Sequence, residues 1–388
     1  MARVVMLVEN NVYPQDVRVR SEAQSLIKAG HDVTVLAPRG EGQSRRERVG
    51  GVRVRRFRLP KTPATTAGYI AEYAMANARL YLAGAWQLIR GARVVHLHNP
   101  PDTLFGVGMM ARALGRDVVF DQHDLSPELF EAKFGSSRTA LRLFRWFERR
   151  SFRISTLVIA PNESHKEIAI RRGGVAAERV TVVRNGPPRA SLGEATEPRA
   201  GELTDPHLIF LGSMESQDGV DDLVGIFEAL VRRHGFPQAK LTLVGEGSRR
   251  ATLTDRFAAA GLSGQVHFTG FVAHREVAGL LGEADICLDP APCTELNDHS
   301  TMVKVAEYMA ARRAVVCFPL LETRRTASDA VAFAECGDVE SFGAQIAALA
   351  RDPERRLKLA EQGYERAADL TWDTSEANLV SAYERLLA

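Results

Sequence analysis

Residues 284–318 constrain the fold more than any other stretch. Two short apolar runs, Ala284 to Leu288 and Ala314 to Phe318, have the length and composition of buried parallel strands. A polar loop and one short helix are all that fit between them, so the chain builds a strand, loop, helix, strand unit. The hydroxyls of Ser300 and Thr301 place the helix start there, because either can accept from the free amides of a first turn. Those amides suit an anion. At 3.6 residues per turn Ser300, Lys304 and Glu307 share one face, and Val303, Ala306, Met309 and Ala310 supply the packing side. A nucleoside diphosphate has the matching polarity, with phosphates for the amides and ammonium and ribose hydroxyls for the carboxylate. An exposed i,i+3 ion pair is the other reading of the same spacing. A helix joining two strongly apolar strands is largely covered, which argues for the first.

The same alternation runs through both halves of the chain. In the first, strand Arg3–Val8, a helix from Asp16 to Ala29 and strand Asp32–Ala37 form a β-α-β unit. Ligands of such sheets bind beyond the carboxyl ends of the strands, which sets Asn10 and Asp16 at the border of a site, whereas Arg18 and Arg20 read as a solvated helix face. Residues 39–50 are polar and glycine-punctuated and read as a loop. After strand Val52–Leu59 comes a proline-bearing loop to Ala67, and these loops are where acceptor-specific contacts are expected. A helix over 68–90, strands Val94–His98, Asp117–Asp121 and Thr156–Ala160, helix Glu163–Arg172 and strand Val180–Val183 complete this half. Residues 184–206, rich in Pro, Gly and Ala without periodicity, read as a linker. Strands His207–Leu211, Lys240–Val244 and Gln265–Thr269 alternate with helices in the second half, and helices over 340–351, 353–368 and 372–387 follow residues 284–318.

His96 and His98 alternate along one strand and point to one sheet face, but with no third ligand nearby in sequence they define no metal site. His98, at the carboxyl end, orients a ligand group or caps the loop. His123 follows the carboxyl end of its strand, with Asp124 beside it to orient the ring; position alone leaves it open between a functional group and a surface histidine.

The near-neutral total charge conceals an asymmetry. Residues 1–185 carry 30 Lys and Arg against 17 Asp and Glu, and the remainder 20 against 31. A basic first half suits an anionic acceptor or anionic lipid surface, although attraction between two lobes explains it equally. Residues 138–153 form a basic amphipathic helix. It reads first as a crossover helix with solvated arginines, and second as a peripheral contact with an anionic membrane. The run Val4–Val8 is too short for a signal-peptide core, and no stretch approaches a membrane span. Four cysteines without a CxxC pair indicate neither a disulfide framework nor zinc, so a reduced cytoplasm is expected, peripheral to the inner membrane face in the membrane reading. Neither strand turn carries GxGxxG, which disfavours a nicotinamide-dependent oxidoreductase.

Glu307-Tyr308-Met309-Ala310 resembles the E-A-M-A-like helix of glycosyltransferase family 4. His299 stands where that family places an earlier glutamate, with the acids Glu295 and Asp298 nearby. The resemblance covers nearly the whole chain and implies the GT-B fold, an α/β architecture of two doubly wound Rossmann-like domains facing a cleft. Residues 1–185 would form the acceptor domain and 186–371 the nucleotide-sugar domain, with 372–388 packing back on the first. It implies that the donor meets Gly212, Ser213, Gly245, Glu246, Gly270, Phe271, Glu295, Asp298, His299, Ser300, Thr301 and Met302. His123, Lys304 and Glu307 would serve catalysis, and Asn10, Asp16, His98 and Asp124 would lie on the acceptor side. The family commonly grips the diphosphate with an arginine and a lysine where this chain has Ser213 and Asp218. Neutralisation would then fall to Lys304, the helix amides and Arg324 or Arg325 in the following loop. The implied reaction is retaining transfer from a nucleotide sugar to a glycan, lipid-linked or small-molecule acceptor, without metal, other cofactor or nucleic acid. A GT-B sugar-nucleotide epimerase and a non-catalytic nucleotide-sugar-binding partner are the alternatives.

Overall fold

The computed structural model describes residues 1–59, 66–135 and 137–388, in two compact units: Met1–Arg184 with Ser375–Ala388, and Asn185–Thr374. The sequence-read loop 60–65, part of the expected acceptor region, lies outside the described residues.

In the first unit the elements run β1 (Arg3–Leu7), α1 (Val17–Lys28), β2 (Asp32–Pro38), β3 (Arg46–Val49), β4 (Val52–Phe57), α2 (Thr66–Ile89), β5 (Val94–His98), α3 (Phe105–Ala113), β6 (Asp117–Asp121), α4 (Ser126–Phe134), α5 (Arg138–Ile154), β7 (Leu157–Ala160), α6 (Glu163–Arg171) and β8 (Val180–Val182). The sheet order is β3-β4-β2-β1-β5-β6-β7-β8. Its central strands are continuous apolar runs because helices cover both faces. Leu7, Leu36, Leu97 and Phe120 pack with Leu80, Val107 and Phe152 from the helices on one face. Four residues of the stretch read as a loop over 39–50 are strand: β3 pairs antiparallel with β4, turned by Gly50 and Gly51 in left-handed conformations that other residues rarely adopt.

The second unit continues with α7 (Ala190–Gly193), β9 (His207–Leu211), α8 (Leu223–Glu228), β10 (Lys240–Val244), α9 (Arg250–Ala259), β11 (Val266–Gly270), α10 (His274–Glu283), β12 (Ile286–Asp289), α11 (Glu295–His299), α12 (Val303–Ala310), β13 (Ala314–Cys317), α13 (Leu321–Ala327), β14 (Ala332–Phe333), α14 (Val339–Arg351) and α15 (Pro353–Ala367). Its six strands, all parallel, follow the order β11-β10-β9-β12-β13-β14. The last helix, α16 (Trp372–Leu387), reaches the first unit, where Tyr383 shares a 2.9 Å hydrogen bond with His96 Nδ1 and Glu376 pairs with Lys28 at 3.3 Å.

Four expectations need correction. Residues 295–310 are two helices. α11 closes on Ser300, whose Oγ donates to Leu296 O at 2.7 Å, and α12 starts at Val303 after Met302, without a side-chain cap. The hydroxyls at 300 and 301 are therefore not its cap: Ser300 serves the preceding helix. Cys293 and Cys336 form a disulfide with Cα atoms 6.1 Å apart, because β12 and β14 bring their following loops together, which no local spacing reveals. Arg324 and Arg325 lie in α13, not a loop; Arg325 pairs with Glu322 and Arg324 stacks on Phe333. Arg18 is buried instead of solvated.

Candidate functional site

In the second unit the candidate site gathers at the carboxyl ends of β9 and β12. Lys304, one residue into α12, is folded inward, with Nζ 3.1 Å from Asp218 and 3.4 Å from Asp289 and 4.7 Å from the centre of the Phe210 ring. Burial alone would lower the pKa of this ammonium, but Asp289 and Asp218 outweigh it and raise the value, so Lys304 is charged. Asp289, fully buried, has its carboxyl pushed up by burial against the pull of Lys304. The Lys304–Glu307 surface pair is thus not what forms. Glu307 lines a separate small cavity of about 140 Å³ with Pro187, Ser191 and Arg275.

Close backbone packing shapes the loops around Lys304. A Cβ on Gly212 would meet the Lys304 side chain at 3.3 Å, and a Cβ on Gly245, whose φ is +132°, would collide with the Gly212 carbonyl. Gly245 N donates to Gly270 O at 3.0 Å, so the loops after β9, β10 and β11 are stitched through glycine backbone. Tyr308 secures the floor: its hydroxyl accepts from Leu211 N at 2.8 Å and reaches Leu288 O at 3.3 Å, bridging β9 and β12. Asn297 Nδ2 donates to Gln217 O at 2.9 Å and ties α11 to the loop that carries Asp218. Tyr308 enters the sequence reading only as part of the Glu307-Tyr308-Met309-Ala310 run and Asn297 not at all, because each acts through a strand or loop distant along the chain.

The remaining donor-side residues scatter. Ser213 is exposed, Glu246 is ion-paired with Arg250, and Phe271 is 85% exposed and hence not core. Asp298 accepts from Leu321 N at 3.1 Å and so caps α13. Glu295 opens α11 and His299 ends it, and Thr301 and Met302 form its connection to α12.

In the first unit the organising residue is Asp121, at the end of β6 and fully buried. Its carboxylate receives the Arg18 guanidinium (Nη2 to Oδ1 2.6 Å), His123 Nε2 at 2.7 Å and His98 Nδ1 at 3.0 Å. Burial opposes ionisation, yet Arg18 and then His123 hold this carboxyl well below the usual range. A carboxylate only accepts, so His98 carries its proton on Nδ1 and His123 carries one on Nε2. Asn99 fixes the loop that presents His123: its Oδ1 accepts from His123 N at 2.6 Å, and its Nδ2 donates to Asp124 O at 2.8 Å. Asp124 itself is exposed. Asp16 caps α1 by accepting from Val19 N at 3.0 Å, and Asn10 is an exposed loop residue.

The expectation that His96 and His98 lack further ligands nearby does not hold. One ligand atom each from Glu22, His96, His98 and Asp121 lie within 4.8 Å of one another, brought together by α1 and β6. The positive charge of this cluster is supplied by Arg18, whose Nε is 3.3 Å from Glu22 Oε1. Burial, then Asp121, raises the Glu22 carboxyl well above its ordinary value.

Residues 15–186 match a family model described as a glycosyl transferase 4-like domain, and residues 205–352 match the model for glycosyl transferases group 1. Alpha-D-kanosaminyltransferase of Streptomyces kanamyceticus is 24% identical over 331 residues, 80% of this chain and 82% of the relative. Sucrose-phosphate synthase of Thermosynechococcus elongatus superposes with a TM-score of 0.74 at 17% identity, over 100% of this chain and 99% of that one. Anabaena Alr3699/HepE in complex with UDP and glucose superposes with a TM-score of 0.71 at 15% identity, over 99% of this chain and 100% of that one. The chain belongs to the GT-B glycosyltransferases.

Proposed function

We propose that this glycosyltransferase retains anomeric configuration, as expected of family 4, and takes its sugar from a nucleoside diphosphate donor held by residues 185–374. Lys304 carries the reading: a charged, buried ammonium at the uncapped start of α12, beside a glycine that leaves it room. The HepE complex with UDP supports a nucleotide in this fold.

Two carboxylates already share Lys304, so a diphosphate must take the place of one. Asp218 is the one to leave, because it is partly exposed on a short loop while Asp289 is fully buried on a strand end. The departing diphosphate is then stabilised by Lys304 and the first-turn amides of α12. His123, held by Asp121 through Nε2, is assigned to catalysis on the family 4 resemblance. The scheme assigns the leaving-group charge to protein groups and calls for no cofactor. The basic first unit holds the acceptor.

The test is turnover with a panel of UDP-, GDP-, ADP- and dTDP-sugars, with product configuration read by NMR. Retained configuration with one donor, and loss of turnover in Lys304→Ala, is expected. Turnover untouched by Lys304→Ala would refute the donor site, and inversion would refute the stereochemistry. Epimerisation of donor in the absence of acceptor would favour a sugar-nucleotide epimerase instead.

A further inference from the structure

A cavity of about 750 Å³ opens in the first unit between the end of β4, the segment joining β2 to β3, and α2. Among the described residues Arg45, Arg46, Arg55, Arg58 and Arg79 line it, and none of these five forms an ion pair with a described carboxylate. Two further lining arginines are engaged: Arg39 Nε donates to Gln43 O at 2.6 Å, and Arg56 pairs with Glu47 at 2.6 Å. The crowding is built into the sheet register. Arg46 stands directly opposite Arg55 across the β3–β4 pair, and Arg48 opposite Arg53. Like charges in that position repel. Arg53 is relieved by Asp32, whereas Arg46 and Arg55 have no such relief. Burial, and then Arg46, Arg90 and Arg53, pull the Arg55 guanidinium below its ordinary value. Phe57 and the half-exposed Trp86 add an aromatic wall.

A hairpin that sets uncompensated arginines face to face around an open volume is stabilised by an anion entering it. We infer that this cavity binds a small molecule carrying two or more phosphate charges, such as a pyrophosphate or phosphomonoester, with a ring or apolar portion against Trp86. The volume falls in the range of small-ligand sites, and the planar forks of several arginines match phosphate oxygens. Within the function proposed above, on which this assignment of role rests, the ligand is the acceptor. The binding itself does not depend on that role.

The test is calorimetric titration of the full chain with inorganic pyrophosphate at physiological salt, against Arg55→Gln/Arg79→Gln, Lys304→Ala and the charge-matched control Arg145→Gln/Arg149→Gln on α5. Loss of at least about tenfold in affinity in Arg55→Gln/Arg79→Gln is expected, from two charge-assisted contacts removed. Near-normal binding in Lys304→Ala and in the α5 control, and unchanged nucleotide binding in Arg55→Gln/Arg79→Gln, complete the expected pattern. Equal loss in both double variants would reduce the effect to net charge and overturn the inference. Loss confined to Lys304→Ala would move the pyrophosphate to the donor site and overturn it, leaving the donor reading intact. Binding to phosphatidylglycerol vesicles without binding to pyrophosphate would overturn it in favour of a membrane face.

Discussion

Asp218→Asn should tighten donor binding, although it removes half of an ion-pair cluster. In the free chain Asp218 lies 3.1 Å from Lys304 Nζ. A phosphate that moves Asp218 off the ammonium still leaves the two anionic groups roughly 5–6 Å apart, a repulsion of roughly 3 kcal/mol at an effective dielectric of 20. Solvent at the partly exposed Asp218 reduces this by about half, to about 1.5 kcal/mol, or roughly tenfold in Kd. Asparagine keeps the shape and removes the charge. Asp289, 3.4 Å from Nζ, still balances Lys304, so no buried cation is orphaned and the cost to folding stays near 1 kcal/mol. Calorimetric titration with the nucleoside diphosphate selected by the panel, in wild type and Asp218→Asn, reads the effect directly. The gain should shrink at high salt. An unchanged or weaker affinity in a variant that melts normally would refute displacement of Asp218 by the donor.

Three further outcomes follow from buried groups. Tyr308→Phe strips the hydroxyl that accepts from Leu211 N, and should destabilise the chain by about 1–3 kcal/mol in denaturant melts; an unchanged midpoint would mean the strand bridge contributes nothing. Burial raises the Glu148 carboxyl to about 7 against the opposing pull of Arg172. A carboxyl raised on folding contributes stability below its unfolded value, near 4.3, and loses it as pH rises through about 7. Glu148→Gln should therefore melt like wild type at about pH 5 and be more stable by on the order of 2 kcal/mol at about pH 9; equal melting at both would exclude a buried ionisation there. Cys287 and Cys317 are buried and Cys293 and Cys336 are bonded, so the native chain should show no reactive thiol and two after mild reduction. Two reactive thiols before reduction would contradict the disulfide.

The sheets were legible because their strands are apolar on both faces, and runs such as Val4–Val8 and Ala314–Phe318 leave no other solution. The strand-end positions of His98 and His123 were also legible, and Lys304 was singled out by its place on a helix face, although the helix starts at Val303 and not at Ser300 or Thr301. Their partners were not. Asp121 reads as the last residue of a strand, and the parallel register of β5 and β6 brings it to His98; Asp289 reads as the residue before a proline, and only the inward fold of the Lys304 side chain from α12 brings it a counter-charge. Arg18 looks like a solvated helix arginine because its counter-charge, Asp121, is 103 residues away. Ser300 misled for a local reason: a hydroxyl after a short helix can close that helix as readily as open the next one.

The central claim, a donor diphosphate seated on the start of α12, is tested most directly by hydrogen exchange. The amides of Val303 and Lys304 belong to an uncapped first turn and should exchange quickly in the free chain. With saturating nucleoside diphosphate, exchange over 302–306 and over 212–219 should slow, and Lys304→Ala should abolish the slowing. Saturated binding that leaves both segments unchanged would contradict the account.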